Sequence, residues 1–594
     1  MQPGDYRTRL FLDLFYLLAL PSLVFTGLLY QHDIRLGWIL PLPSYILFIV
    51  LWAFSKGLLT RLIHANARYQ LGAKEIPCVK GNWPGNIDVL LKMMKSFKTS
   101  YLLDVYLQLF EEYQTTTLNT RILWSDTIIT MDQEHTKYIM ATGFNNFWRG
   151  KYQKERMEKF LGQGIFNRDD DMWRMHRANT RPFFARERIS DFETFENYSS
   201  RTISIISEAT SADQPFDAQD LYSRFTIDAA SDFLFGKNLD TLSASLPTPG
   251  KTTMSPKGSA TEDSWGSFAH AFETAQQVAT GRGRLGRFWP LFELFGDKNA
   301  KNTEVIHNWL DPLVRDALSE KARMMHAGVV SPIAEKTFLQ HLTESTDDPV
   351  LIRDQLLSLL LASRDTQTAC LLTYITYFMA LYPDVAHKLR AEVLEHCGVS
   401  NTPTYDQIRE LKYMRAVINE TLRLFPPVPL NVRECRHSCT LPPPDPTYNH
   451  SGDRQSLYVP AGTPVMFFPL LVQRNTALWG PDADKFDPNR WIDPARISRF
   501  VANPTMFTPF SAGPRICVGQ NYAYNEASYF LVRLLQQFES FTLAPEAQPS
   551  GSLPPEEWQH RKGRQAEERI WPGSALTLFV KGGLWVRFHK AQSH

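Results

Sequence analysis

Ten residues near the C-terminal end, Phe510-Ser-Ala-Gly-Pro-Arg-Ile-Cys-Val-Gly519, run straight into a helical pattern from Asn521 to Phe538. A Cys just before a helix start lies near the positive end of the helix dipole, which favours the thiolate. Gly513 and Gly519 let the backbone approach a flat ligand and leave amide N–H groups free to bond the sulfur. Arg515 is placed to meet a carboxylate or propionate, and the upstream aromatic Phe510 to cover the thiolate face. A loop that presents one sulfur to iron needs these features. A lone Cys is ordinarily an inert core residue. Five residue types at fixed spacing, however, arise by chance in such a chain only about once in 10⁴.

Composition narrows the setting. At 594 residues the chain exceeds the size at which a single core keeps growing. Its 43% apolar and 21% charged residues exclude a disordered chain and a polytopic transporter. The net charge of +1 offers no global basic field, so nucleic acid is not an expected partner. Six scattered cysteines contain no CxxC pair, and Cys435 and Cys439 have no His/Cys pair to complete a zinc site. That usage reads as a reducing compartment.

The N-terminal end differs in character. Leu14–Tyr30 and Leu36–Ser55 carry no charge, and each approaches the length needed to cross a ~30 Å hydrocarbon core. Arg7 and Arg9 precede the first; Lys56, Arg61, Arg68 and Lys74 follow the second. The charge distribution predicts a membrane anchor over 1–56, as a two-span hairpin (14–30 and 36–55) with both flanks in the cytosol. One span followed by a surface helix is the alternative, because Pro41 and Pro43 weaken the second run. No small-x-small site closes the first run, so the anchor is retained. A linker over 57–77 leads to a body at 78–594, with polar insertions near 243–267, 442–455 and 547–573. The closing Ala575–Phe588 alternates around Gly582-Gly583 and reads as a hairpin.

Three upstream patterns carry chemistry. Glu420 and Arg423 place a carboxylate and a guanidinium on one helix face at i, i+3 within an apolar run. Trp173 and Arg177 project to one side at i, i+4, where an indole and a guanidinium can reach one carboxylate. Leu351–Tyr382 reads as one core helix of about 48 Å. In its middle lies Ala362-Ser-Arg-Asp-Thr-Gln367. A charged pair and a hydroxyl inside a buried helix are expensive unless bonded or used, so Arg364–Asp365 is either a packing pair or part of a site.

Taken with the cysteine loop, these residues resemble the cytochrome P-450 haem-thiolate monooxygenases over about Cys78–Phe588. The resemblance implies a mainly α fold with small β-sheets (α+β), haem b, and Cys517 as axial iron ligand within a cradle of Phe510, Gly513, Arg515 and Gly519. It further implies Trp173, Arg177 and Arg433 as propionate ligands, and a structural triad of Glu420, Arg423 and Arg490. Thr366 would line the oxygen pocket and Asp365 relay protons. Ser363 and Gln367 depart from the family's usual Gly and Thr/Ser. The anchor and the neighbourhoods of Trp173 and Thr366 look like the membrane-bound fungal branch related to alkane and fatty-acid hydroxylases.

The implied activity is hydroxylation of hydrophobic substrates (fatty acids, alkanes or polycyclic aromatics). Electrons come from an NADPH-cytochrome reductase, with cytochrome b5 a second candidate donor. No flavin or dinucleotide fingerprint is present, so the reductase is a separate protein. The expected location is the endoplasmic reticulum membrane, catalytic body toward the cytosol. A haem-retaining binding or scaffold protein, and a haem-thiolate enzyme that is not a monooxygenase, stay open as alternatives.

Overall fold

The computed structural model describes residues 5–592 except 38, 191, 328–331, 333–335, 365–367 and 446–453. Two apolar helices, Tyr6–Gln31 and Pro41–Gln70, come first, each long and apolar enough to cross a membrane. They pack on each other: Phe25 stacks on Phe48 with ring centroids 4.7 Å apart, and Thr26 Oγ1 lies 2.6 Å from Tyr45 Oη. Leu40 is the N-cap of the second helix, so Pro41 and Pro43 occupy its first turn. N–H groups there have no intrahelical acceptor, and the prolines start the helix instead of breaking it. The helix continues to Gln70, through most of the stretch expected to be a linker.

Both ends of this pair meet the body. Before the first apolar run, Arg9 forms a buried ion pair with Glu155 at 2.7 Å, Tyr6 packs on Trp289 and Asp13 binds Arg287 at 2.6 Å. After the second, His64 Nδ1 lies 3.1 Å from Tyr458 Oη, and Lys74 N–H donates to the Ser456 carbonyl.

The body is mainly helical with small sheets. Ala218–Phe235 is capped by Asp217, whose carboxylate accepts from Gln219 N–H, and is stopped by Gly236 at φ 66°. With Thr368–Leu381, Lys412–Leu424 and Gln520–Gln537 it encloses the main core. In Lys412–Leu424 the apolar residues recur at Tyr413, Met414, Val417, Ile418 and Leu422, which buries one face. A five-stranded sheet runs in the order Thr117–Asn119, Ile128–Thr130, Pro464–Phe467, Asn431–Cys435, Phe147–Trp148. Thr117–Asn119 and Ile128–Thr130 pair antiparallel, with Leu118 opposite Ile129. Asn431–Cys435, held between two neighbours, fixes Arg433.

The closing hairpin does not form. Leu578–Val580 pairs with Pro572–Ser574, whereas Trp585–Lys590 pairs with Phe538–Leu543 and Phe216–Asp217. Gly582 and Gly583, at φ 75° and 88°, turn the chain from one sheet into another. Phe588 packs edge-on against Phe216 and Phe541, and that burial outweighs local pairing. The stretches 243–267 and 547–573 fold onto the body and bury Lys257, Trp558 and Arg564. Most of 442–455 lies outside the described residues.

Candidate functional site

The cysteine loop is closed by its own backbone, with Cys517 N–H donating to the Phe510 carbonyl at 2.9 Å. Phe510 is buried with its ring 5.3 Å from that of Tyr524. Gly513, at φ 65°, passes so near Met140 that a Cβ would lie 2.1 Å from the Met140 carbonyl oxygen. No other residue fits there. Cys517 faces a cavity of about 540 Å³. Burial pushes its thiol up to about 11, against the Gly519 N–H and the Arg177 charge. The start of the helix Gln520–Gln537 and the Gly519 N–H therefore do not offset the burial of the sulfur.

Beside the loop lies a concentration of positive charge. Arg515 Nη2 bonds Asp169 Oδ1 at 2.8 Å, and its guanidinium covers the Trp173 ring at 4.5 Å. Arg433 Nη1 donates to Asn431 Oδ1 at 2.7 Å and to the Val432 carbonyl. Arg149 reaches the same Asn431 oxygen at 3.5 Å, and its buried Nε has no partner among the described residues. Burial lowers the pKa of all three; Arg515, next to Arg149, falls to about 9, and Arg433, beside both, is held well below its usual value. Asp169 also serves Lys154, so it cannot neutralise the group. Arg177 Nη1 bonds the Ile516 carbonyl at 2.8 Å. Trp173, Arg177, Arg433, Phe510, Arg515, Cys517 and Gly519 line one cavity, and Gly513 packs on Met140 outside that lining.

A cytochrome P450 family model matches residues 84–559 of the chain. The chain is a cytochrome P450. Among its relatives, cytochrome P450 52E2 of Candida apicola is 35% identical over 476 residues, covering 79% of this chain and 87% of that protein. Cytochrome P450 52A5 of Candida maltosa is 33% identical over 482 residues (79% and 85%). Cytochrome P450 monooxygenase g430 of a Fusarium species is 32% identical over 503 residues, 84% of each chain. Membership makes the protein a haem monooxygenase of the cysteine-thiolate type, resembling the fungal P450 52 proteins.

The P450 cavity fits that group on its own chemistry. A surplus of buried guanidinium charge, with the Arg149 Nε orphaned, requires anions, and haem brings two propionates. Arg149 escaped sequence reasoning because Trp148-Arg-Gly150 has no distinctive spacing. Only the sheet brings it beside Asn431.

The triad closes around a buried carboxylate. Arg423 grips both Glu420 oxygens at 2.8 Å, Arg490 Nε approaches at 3.4 Å, and Trp491 Nε1 donates at 3.0 Å. Arg423 also donates to the carbonyls of Gln473, Ala483 and Lys485. The triad thus ties the helix Lys412–Leu424 to the segment that precedes the cysteine loop.

The expected long helix is described as Pro349–Arg364 and Thr368–Leu381. Asp365, Thr366 and Gln367 lie outside the described residues. Arg364 has Glu273 as a partner at 3.2 Å. Ser363 Oγ donates back to the Leu359 and Leu360 carbonyls, at 3.1 and 3.2 Å, so the extra hydroxyl is satisfied within its own helix.

Proposed function

We propose that Cys517 is the thiolate ligand of the haem iron, that Arg149, Trp173, Arg177, Arg433 and Arg515 hold the propionates, and that the enzyme hydroxylates long apolar substrates of the fatty-acid or alkane kind. The carrying observation is the cavity, whose lining joins Cys517 and the guanidinium cluster with Leu102, Phe166, Val428, Leu430, Phe467 and Leu576. When bound, the haem activates dioxygen for insertion of one oxygen atom into a C–H bond. The protein's part is to hold the sulfur, neutralise the propionates and keep the reacting carbon dry. The Gly519 N–H bonds the sulfur and moderates its charge. Glu420, Arg423 and Arg490 position the loop without touching substrate. Asp365 and Thr366 remain the proposed proton-delivery pair.

Electrons come from a membrane-bound NADPH-cytochrome reductase, with cytochrome b5 as a second donor. The location is the endoplasmic reticulum membrane with the body toward the cytosol. Contacts of both Arg9 and His64 with the body support a two-span hairpin whose ends lie on one side. The test is the CO difference spectrum of the dithionite-reduced full chain beside Cys517→Ser. A red-shifted thiolate-type Soret band, lost in the variant, is expected. A folded, haem-loaded variant that keeps the band would overturn the assignment.

A further inference from the structure

Seven arginines line the cavity: Arg149, Arg156, Arg177, Arg284, Arg287, Arg433 and Arg515. Among the described lining residues the only acidic one is Glu526, which burial raises to about 7. Four of the arginines belong to the propionate group, and Arg287 is paired with Asp13. Arg156 and Arg284 remain.

Arg156 stands on the helix Lys151–Leu161 and is 8% exposed. No hydrogen bond or ion pair reaches its guanidinium among the described residues, and its buried Nε has no partner. The adjacent Glu155 gives it no hydrogen bond, both Glu155 oxygens being taken by Arg9 at 2.7 and 2.8 Å, and Glu155 and Glu434 act on its charge only through space. Its Nη1 lies 4.0 Å from where a Cβ on Gly283 would stand, which places it under the last turn of the helix Ser264–Arg284. Arg284 ends that helix with its guanidinium over the Phe97 ring face at 4.4 Å. Burial lowers Arg156 to about 10, which leaves it charged at neutral pH. A buried, unpaired cation on a cavity wall is costly unless a ligand completes it.

We infer that Arg156, assisted by Arg284, is the anchor for a substrate carboxylate. This rests on the proposed function and narrows it: the substrate is an amphipathic acid whose head is fixed under the Ser264–Arg284 helix end while its chain reaches toward Cys517. The same cavity is lined by Phe97, Leu102, Leu103 and Ile122 as well as by polar residues, and those apolar side chains suit an alkyl chain. An alkane fills those walls but leaves Arg156 unpaired.

The test is equilibrium binding to the haem-loaded full chain, read as the Soret shift on titration with hexadecanoic acid, its methyl ester and hexadecane. The acid is expected to bind roughly 10- to 100-fold more tightly than the ester, as a charge-assisted hydrogen bond to a buried cation allows. Arg156→Leu is expected to erase that difference and leave ester binding unchanged, Arg156→Lys to restore part of it, and Arg284→Leu to reduce it. Equal affinity for acid and ester in the unaltered protein would overturn the inference, as would an acid preference that survives Arg156→Leu. The CO spectrum of each variant separates the two readings. A thiolate-type band with no acid preference defeats only the anchor, whereas loss of haem in Arg156→Leu would place Arg156 among the propionate ligands instead.

Discussion

Glu526 shows how one buried side chain writes a pH dependence into the protein. It lines the cavity from the helix Gln520–Gln537, 2% exposed, with Thr368 and Tyr522 as hydrogen-bond partners. Burial raises its carboxyl from 4.5 to about 7. Between those values the native state keeps a proton that the unfolded chain has released, so stability falls as pH rises through that window and the full cost is present above it. Glu526→Gln is expected to remove this fall, on the order of 3 kcal/mol. Thermal midpoints of both proteins at roughly pH 5 and pH 8 check it; parallel losses in the two would defeat the expectation. Gly513 marks the other extreme, because its need for glycine was readable from its place in the loop. The carbonyl that enforces it, Met140, lies far away in sequence.

Among elements, the Glu420 triad makes the sharpest prediction. Arg423 and Glu420 are fully buried, and Arg490 is 3% exposed with Asp482 as its second partner at 3.1 Å. Glu420→Ala removes the one carboxylate that Arg423 holds and is expected to cost about 3–5 kcal/mol, because an uncompensated guanidinium stays inside. The measurement is the urea midpoint followed by tryptophan fluorescence. A midpoint within error of the unaltered protein would mean that the three carbonyls around Arg423 suffice. Periodicity made these helices legible, and it placed Trp173 and Arg177 on one face of Asp170–Thr180. It failed for the C-terminal strands: alternation around a Gly-Gly turn describes a hairpin equally well as two strands dealt to different sheets. Packing of Phe588 against distant aromatics decided between them.

For the whole molecule, the decisive relation is between anchor and body. Arg9 was legible as a flanking cation, yet it is 7% exposed and bound to Glu155 on the helix that also carries Arg156. Asp13 and Tyr6 hold the neighbouring turn Gly286–Phe292 through Arg287 and Trp289. Arg9→Met is expected to free this corner, seen as faster hydrogen exchange in Tyr6–Leu14 and Gly286–Phe292 with the helix Gln520–Gln537 unaffected. Unchanged exchange in both segments would show that the remaining contacts hold the corner without the ion pair. By itself the sequence determined the two apolar N-terminal helices, the cysteine loop, the Glu420–Arg423 pair and the fold class, because each depends on residue types at short, fixed spacing. Only the tertiary structure decided that Arg149 joins Arg433 and Arg515, that Arg156 stands on the cavity wall with no hydrogen-bond partner among the described residues, and that Arg9 faces Glu155. Those facts depend on which charges are left without a partner once every chain segment is in place, and spacing along the chain carries no record of it.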